Sequence, residues 1–295
     1  MSEGSASFSV VGAGRVGTSL ALALVRTGFR CASIVARQTT TRAVLRRRLL
    51  RSDILKSISD LKDNFQFVII AVRDGEIRSV ADLLGANRNI EWRDKIVFHT
   101  SGVVELDALD KLKARGANIG AFHPLAPFAS KFASQKARSI FYDFAGDKKS
   151  LRLARELAHR LESRLFVLKS ERERTMLHVA SVLASNFTVI AARTSEEMAA
   201  GIIGSGNSKS VIDRLLSDTV DNIFSKKGYE ALTGPLARGD INVIQKHLRI
   251  LENDPPLLQF YKSSALLGIE SLLKTNLQNA RDSRLIRIKK LLEDK

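Results

Sequence analysis

The sequence predicts an α/β protein in which a doubly wound, mostly parallel sheet is followed by an all-α C-terminal domain. Three observations lead to this prediction. Short apolar runs alternate with helical patterns through the first half of the chain, a glycine-spaced turn follows the first run, and the alternation stops near residue 170. Alternating strands and helices are typical of a parallel sheet with helices on both faces. We therefore predict two domains, 1–170 and 171–295.

The glycine-spaced turn separates an apolar strand at 9–11 from an apolar helical pattern at 20–25, and it reads Gly12-Ala13-Gly14-Arg15-Val16-Gly17. The first glycine of such a turn permits the tight bend. The second lets backbone N–H groups approach a diphosphate, and the third allows close packing of helix on strand. A second apolar run at 31–36 completes a βαβ unit. The pattern therefore predicts a Rossmann-like dinucleotide site, with the helix dipole aimed at the anion.

The end of the second predicted strand indicates which dinucleotide is bound. Proteins that bind NAD or FAD usually have an acidic residue there, which accepts hydrogen bonds from the ribose hydroxyls. This chain has Arg37, followed by hydroxyl and basic side chains that include Thr39 and Arg42. A hydrogen bond to a charged group contributes about 1.5–3 kcal/mol. We therefore expect NADP rather than NAD, and the alternative is that Arg37 is a solvated charge at a strand end.

The remaining elements continue the alternation up to residue 168. Further strands are predicted at 67–72, 96–100, 117–122, 138–144 and 165–168, with helices at 106–114 and 151–161. Beyond residue 170 the pattern is helical, with helices predicted at 175–203, 211–224, 241–251, 257–272 and 283–292. The first of these contains no proline and one glycine, which favours a single long, largely buried helix.

Residues that directly follow the strands are candidates for the site, because ligands bind beyond the carboxyl ends of the strands in a doubly wound sheet. Val72 and Arg73 follow the third strand, and we expect them to pass along the cofactor. Ser101 follows the fourth strand, where it could orient substrate or cap a turn. His123 follows the fifth and precedes a proline, so we expect it to face the cleft as a substrate contact or proton donor.

The predicted long helix carries three polar residues on one stripe, His178, Ser185 and Asn186, because each residue advances by about 100°. Burying these groups without partners would be costly, so a polar cavity is the simplest explanation. An internal hydrogen-bond network or a subunit contact is the alternative. Farther along, Arg238 could clamp a substrate carboxylate, or it could pair with Asp240 at a helix cap.

Composition limits the choice of partners and compartment. The chain has 295 residues, a net charge of +16 and one cysteine, Cys31, which excludes an internal disulfide and a thiolate metal cluster. No metal site is predicted. Basic residues concentrate at 42–51 and 281–290 without interleaved aromatic residues, so attraction of anionic cofactor and substrate is favoured over nucleic-acid binding. Since neither a targeting pattern nor an apolar run of membrane-spanning length is apparent, we expect a cytoplasmic protein.

Five motifs together resemble one family. They are the turn at 12–17, His99-Thr100-Ser101-Gly102, His123-Pro124-Leu125 with Phe128, His178 through Ser185-Asn186, and Leu232-Thr233-Gly234-Pro235 through Arg238-Gly239-Asp240. The chain resembles the Rossmann-like proteins that carry the C-terminal domain of unknown function 2520. These are relatives of pyrroline-5-carboxylate reductase, ketopantoate reductase and the 6-phosphogluconate dehydrogenase-like enzymes.

The resemblance implies an NADP-binding domain, a helical domain that often pairs two subunits, and oxidoreductase activity on an unidentified substrate. In the related 3-hydroxyacid and ketopantoate enzymes, a lysine on the equivalent helix aids proton transfer and asparagines on the same face orient substrate. By this resemblance His178 stands in place of that lysine and Asn186 is retained. Arg73, Arg174 and Leu177 differ from the proline, lysine and tyrosine that are usual in relatives.

These observations predict an NADPH-dependent reductase that transfers hydride to a small C=O or C=N compound bound between the domains. His178 is the preferred proton donor and His123 the competing acid, because an imidazole pKa near 6.5 suits proton transfer at neutral pH. Asn186 and Ser101 are expected to orient substrate. A non-catalytic NADP-binding sensor or dimeric interaction module is the alternative. The apolar helices of the second domain further predict a homodimer.

Overall fold

The computed structural model describes residues 6–275 and 282–293, so that residue 281 of the second basic segment lies outside the described residues. Eight strands form one sheet. They are β1 (Ser7–Val11), β2 (Arg30–Val35), β3 (Asp53–Leu55), β4 (Phe67–Ile70), β5 (Ile96–His99), β6 (Asn118–Pro124), β7 (Phe141–Gly146) and β8 (Arg164–Val167). The sequence did not predict β3, a three-residue strand at the edge of the sheet.

The strand order across the sheet is β3-β2-β1-β4-β5-β6-β7-β8. All neighbouring strands run parallel except β6 and β7. The order reverses at β1, which lies between β2 and β4, and such a switch point leaves a crevice at the carboxyl ends of the strands. This topology confirms the predicted doubly wound, mostly parallel sheet.

Five helices accompany the sheet: α1 (Arg15–Arg26), α2 (Thr39–Arg48), α3 (Ile77–Ala86), α4 (Asp110–Ala114) and α5 (Lys148–Arg160). Two apolar cores lie on opposite faces of the sheet. Residues of α1 and α5 pack in one core and residues of α3 and α4 in the other. Ile69 of β4 belongs to the first core and its neighbours Val68 and Ile70 to the second, as the two-residue period of a strand requires.

Helices follow from Glu171 to the end of the described chain, which confirms the predicted helical C-terminal region. They are α6 (Glu171–Val182), a π-helical turn (Leu183–Phe187), α7 (Thr188–Ile203), α8 (Ser205–Ser225), α9 (Pro235–Arg238), α10 (Ile241–Leu251), α11 (Pro255–Thr275) and α12 (Ser283–Glu293). Ile244, Ile269 and Ile288 bring α10, α11 and α12 into one small core.

The helix predicted at 175–203 differs from expectation in two respects. It begins at Glu171 and the π-helical turn interrupts it. It is also largely exposed: Arg174 is the one buried residue of α6, and α7 has none. The prediction of burial was wrong because an apolar composition indicates that a surface tends to be covered but does not indicate what covers it.

The stretch from Glu171 to Ile203 is long and apolar enough to cross a membrane by length and composition, with a mean hydropathy of 1.5 in its most apolar part. This finding corrects the expectation that no apolar run has that length. Apolar helices that pack inside proteins meet the same two criteria.

The chain divides into two compact units, Met1–Thr188 and Val189–Lys295. The first contains the sheet, α1 to α6 and the π-helical turn, and the second contains α7 to α12. The boundary at residue 170 stays a prediction from the sequence.

Candidate functional site

The turn between β1 and α1 depends on two of its glycines. Gly12 has φ +108°, and a Cβ there would lie 2.4 Å from the Ala71 carbonyl oxygen. A Cβ at Gly17 would lie 2.0 Å from the Gly12 carbonyl oxygen. A Cβ at Gly14 would lie in open space, with the nearest atom 4.0 Å away. Because Gly14 has no side chain, the first N–H groups of α1 have no side-chain cap. The turn is therefore a backbone cradle that suits a diphosphate.

A cleft of about 1070 Å³ opens at the carboxyl ends of the strands, beside this cradle. Its lining includes most of the predicted cofactor-binding residues: Gly12, Ala13, Gly14, Arg15, Val16, Arg37, Val72 and Arg73. Thr100 and His123 also line it. The cleft is slightly larger than typical small-molecule sites of about 300–1,000 Å³, as an extended dinucleotide requires.

Two predicted cofactor residues lie outside the lining of the cleft. Gly17 packs behind the turn, where it allows α1 to approach Gly12. The Thr39 hydroxyl accepts a 2.9 Å hydrogen bond from the guanidinium of Arg42. Arg42 also donates to the carbonyl oxygens of Ala36 and Arg37, so it fixes the chain between β2 and α2.

The end of the cleft beyond β2 carries cations from separate parts of the chain. Arg37 is 81% exposed and pairs with Glu76, with 3.3 Å between Nη2 and Oε1. Lys131 donates 2.9 Å hydrogen bonds to Gln38 Oε1 and Thr41 Oγ1. The sequence analysis missed Lys131 because it stands 93 residues from Gln38 and follows no strand directly.

His123 of β6 lies opposite Asp143 of β7 in the antiparallel strand pair, and 2.6 Å separates His123 Nδ1 from Asp143 Oδ2. Asp143 is 2% exposed, whereas the His123 side chain is 15% exposed and lines the cleft. A carboxylate can only accept a hydrogen bond, so His123 Nδ1 donates and Nε2 is left to exchange protons. Asp143 was also missed, although an acidic residue inside an apolar strand was a usable signal.

His178 of α6 approaches the same histidine, with 5.8 Å between the two ring centroids. Gly102 lies against both rings: a Cβ there would stand 2.8 Å from His123 Nδ1 and 3.0 Å from His178 Nδ1. The absent side chain at Gly102 therefore allows the two imidazoles to converge. His178 Nδ1 is buried without a hydrogen-bond partner among the described residues, and His178 is not part of the cleft lining.

A network of buried hydrogen bonds lies beside this histidine pair. The Ser101 hydroxyl accepts hydrogen bonds from the backbone N–H groups of Val103 and Val104, and the Ser101 N–H donates to His99 Nδ1. The hydroxyl of Ser101 is thus engaged in capping its own turn. Arg174 donates to the carbonyl oxygens of Ser101 and Val104, both at 2.9 Å, which ties the start of α6 to that turn. His178 follows four residues later, on the same side of the helix.

Burial sets the charge states in this network. It lowers the pKa of His99 to about 3, and the neighbouring Arg174 and His123 act electrostatically in the same direction. His99 is therefore neutral near pH 7. Burial also lowers the pKa of Arg174, against the effect of Asp143 and other carboxylates, and the guanidinium stays charged.

The other predicted polar residues make local contacts. The Ser185 hydroxyl lies within hydrogen-bond distance of two acceptors, the Ser181 carbonyl oxygen at 2.6 Å and Asn186 Oδ1 at 3.0 Å, and Asn186 is exposed. Both residues lie in the π-helical turn, which adds a residue to the turn and so changes the predicted stripe. In the second unit, Asp240 caps α10 by accepting from the Val243 N–H, and Arg238 is exposed.

No group of three or more His, Cys, Asp and Glu side chains within 6–275 and 282–293 is arranged to hold a metal ion.

Structural comparison finds similar folds among oxidoreductases. BF3122 from Bacteroides fragilis, a candidate NADP oxidoreductase, has a TM-score of 0.70 and 22% identity, with 88% of this chain and 96% of that chain covered. TM1727 from Thermotoga maritima has a TM-score of 0.68 and 23% identity, with 90% and 97% covered. Plasmodium falciparum pyrroline carboxylate reductase with NADP bound has a TM-score of 0.58 and 12% identity, with 97% and 98% covered. At these identities the likeness establishes the fold.

Sequence comparison assigns both halves of the chain. No curated protein matches the sequence. A Rossmann-like domain matches residues 2–124, and the domain of unknown function DUF2520 matches residues 140–267. The chain therefore combines a Rossmann-like domain with a DUF2520 domain.

Proposed function

We propose that this protein is an NADPH-dependent reductase that transfers hydride to a small C=O or C=N compound, with His123 as the proton donor. One observation carries the proposal: the His123–Asp143 pair opens onto the same cleft as the glycine cradle. The similarity of the fold to NADP oxidoreductases and reductases supports the same reaction class.

The cradle suits the cofactor because Gly12 and Gly17 permit a close backbone approach and Gly14 leaves the N–H groups of α1 accessible. Arg37 and neighbouring side chains at the far end of the cleft provide positive charge for the 2′-phosphate. When bound, the nicotinamide supplies the hydride. Val72 and Arg73, which follow β4 after Ala71, form part of the wall along which the cofactor extends.

His123 can hold the second reactant of a reduction, the proton. Asp143 accepts from Nδ1, which orients the ring, selects its tautomer and stabilises the protonated imidazolium. Nε2 then carries the proton that the substrate oxygen or nitrogen receives. A positioned general acid of this kind contributes about 10²–10⁴-fold to the rate.

His123 is better placed than His178 to be the proton donor. His123 lines the cleft and has a carboxylate that orients it, whereas His178 does not line the cleft. His178 instead packs beside His123 across Gly102. Asn186 and Ser101 are secondary candidates for substrate contact, because Asn186 Oδ1 already bonds to Ser185 and the Ser101 hydroxyl already caps its turn.

We also propose a homodimer through the helical region. Large apolar side chains project from α7 and α8, among them Ile202 at 85% and Phe224 at 84% exposure. Exposed apolar surface of this kind is typical of an interface between subunits. Light scattering coupled to size exclusion is expected to give twice the monomer mass, and a monomer at micromolar concentration would reject the dimer.

The reductase proposal is tested by NADPH binding and turnover together. Calorimetry should detect NADPH binding to wild type, His123→Gln, His178→Gln and the exposed control His159→Gln. With a panel of cyclic imines and 2-keto acids, His123→Gln is expected to lose about 10²-fold or more in kcat while the control keeps wild-type turnover.

Three outcomes would count against parts of this proposal. Absence of binding to either nicotinamide dinucleotide overturns it entirely. Equal turnover by wild type and His123→Gln removes His123 from the mechanism. Tight NADPH binding that no compound of the panel oxidises favours the alternative, a non-catalytic NADP-binding sensor or interaction module.

A further inference from the structure

We propose that Lys131 is the main determinant of preference for NADP over NAD, through contact with the 2′-phosphate. This inference rests on the proposed function, since it concerns the cofactor cleft. Lys131 lines that cleft together with Arg37, Gln38 and Thr41. Arg37 and Gln38 lie just beyond the end of β2, where the ribose of a dinucleotide is recognised in this fold.

The positive charge of Lys131 is uncompensated. Its ammonium donates to Gln38 Oε1 and Thr41 Oγ1, both uncharged, at 2.9 Å each. It forms no ion pair within the described part of the chain. An ammonium has three N–H donors, so one remains for a further acceptor. A cation held on neutral oxygens in a cleft favours an anionic ligand.

Arg37, the residue that sequence analysis favours for this role, is in a different electrostatic situation. Its guanidinium pairs with Glu76, and 81% of its side chain is exposed. Water screens such a pair, and the carboxylate offsets the charge offered to a phosphate. Glu76 also lines the cleft, so its negative charge opposes an anion at that position. Arg37 therefore contributes less to phosphate recognition than its place after β2 suggests.

The segment that carries Lys131 is fixed to the helix behind the glycine cradle. The backbone N–H of Phe132 donates to Thr18 Oγ1 and that of Ala133 to Ser19 Oγ, each at 3.1 Å. Thr18 and Ser19 are fully buried in α1. On its other side, the Arg48 guanidinium of α2 lies 5.1 Å from the centre of the Phe132 ring. These contacts set the position of Lys131 relative to both α1 and α2.

Such anchoring makes the contact specific. A side chain held in place before the ligand arrives loses less conformational entropy on binding than a free surface lysine. Thr41 helps to hold the ammonium in place, because its hydroxyl accepts from Lys131 and donates to Gln38 Oε1, the other acceptor of Lys131. A ribose 2′-hydroxyl carries no charge to engage the ammonium, so NADH gains much less from Lys131.

The test compares five proteins: wild type, Lys131→Met, Lys131→Arg, Arg37→Met and the control Lys136→Met. Lys136 lies in the same segment, is exposed, and is not part of the cleft lining. Calorimetry is performed with NADPH, NADH and the fragments 2′,5′-ADP and 5′-ADP. Lys131→Met is expected to weaken NADPH and 2′,5′-ADP by about tenfold or more, and to leave NADH and 5′-ADP nearly unchanged.

The remaining variants test whether the preference for NADPH depends on Lys131 in particular and on its charge. Arg37→Met is expected to reduce NADPH affinity by a smaller factor than Lys131→Met, and Lys136→Met should match wild type. Lys131→Arg keeps the charge and should retain most of the preference. Unchanged NADH binding by each variant shows that the cleft is folded.

Failure of this inference is distinguishable from failure of the proposed function. Wild type that binds neither dinucleotide overturns the proposed function. If wild type binds NADPH, two results for Lys131→Met overturn the role of Lys131. One is that its affinities for NADPH and NADH fall by the same factor, and the other is that neither affinity changes. A larger loss of preference in Arg37→Met than in Lys131→Met also overturns it, in favour of Arg37.

Discussion

His123 and Asp143 lie directly opposite each other across β6 and β7, with 2.6 Å between Nδ1 and Oδ2. Their strands form the one antiparallel junction among the neighbouring pairs of the described sheet. Because Asp143 is 2% exposed, water competes little for this hydrogen bond. The sheet thereby brings an oriented imidazole to the edge of the cleft.

Asp143→Asn should impair the orientation of His123 without impairing the binding of NADPH. The amide can donate to Nδ1 and so favours the wrong tautomer, and it no longer stabilises an imidazolium. We expect kcat to fall by about 10²–10⁴-fold with little change in NADPH affinity. Asp143 acts as a positioning residue, so the pH dependence of kcat should also change. Glu156→Gln, on the exposed side of α5, is the control. A pH profile identical to that of wild type would argue against the role of Asp143.

Gly102→Ala should disturb the two imidazoles. The new methyl group would stand 2.8 Å from His123 Nδ1 and Cε1, so that His123 or His178 must move. We expect a loss of stability of about 1–3 kcal/mol, as for other overpacked sites, and a loss of turnover. Urea unfolding and steady-state kinetics measure the two effects. Gly206→Ala is the control, because no atom lies within 4 Å of its Cβ position and alanine favours helices. Wild-type stability and turnover in Gly102→Ala would disprove the close packing.

Gly14→Ala and Gly17→Ala should affect the cradle differently. A methyl group at Gly14 meets no atom closer than 4.0 Å, whereas one at Gly17 would lie 2.0 Å from the Gly12 carbonyl oxygen. We therefore expect Gly14→Ala to fold normally and bind dinucleotide weakly, since its methyl group occupies the face offered to the diphosphate. Gly17→Ala should lose both stability and binding. Thermal unfolding and calorimetry distinguish the two variants, and equal unfolding temperatures would contradict this account.

His99 predicts a pH dependence of stability. Burial lowers its pKa from 6.5 to about 3 in the folded protein, whereas the unfolded chain has the ordinary value. The unfolded state therefore binds more protons between these two values. The contribution of His99 to stability is complete above pH 6.5 and decreases as the pH falls toward 3, by at most about 1.4 kcal/mol per pH unit.

His99→Asn keeps an acceptor for the Ser101 N–H but does not titrate in this range. Its free energy of unfolding should fall less steeply than that of wild type between pH 6.5 and 4, as measured by urea unfolding. Parallel profiles for the two proteins would mean that His99 is not held neutral by the fold. His159→Asn, at an exposed position, should follow the wild-type profile.

Local patterns predicted the cradle well. The spacing of Gly12, Gly14 and Gly17 specifies which residue bends, which faces outward and which packs, because these contacts lie within one turn and the strand beside it. Strand-end positions also identified Arg37 and His123 as candidates. Both line the cleft, since the carboxyl ends of parallel strands meet at one edge of a sheet.

The missed residues share a physical cause. Asp143 pairs with His123 only through the register of an antiparallel junction, and a shift of one residue would turn it to the opposite face. Lys131 reaches Gln38 because its segment crosses over α1, where Thr18 and Ser19 hold it. The π-helical turn that contains Ser185 and Asn186 was also not predicted, because the sequence analysis assumed a regular α-helical period.

The amino-acid sequence by itself determined the alternation of strands and helices, the cradle for a diphosphate and the chemical character of the strand ends. These properties depend on backbone geometry and on apolar periodicity over a few residues. Only the tertiary structure decided which carboxylate orients His123, which lysine of a distant segment reaches the cleft beyond β2, and which apolar helix of the described chain is exposed. Those relationships depend on register and on the packing of distant segments, and no local pattern encodes either.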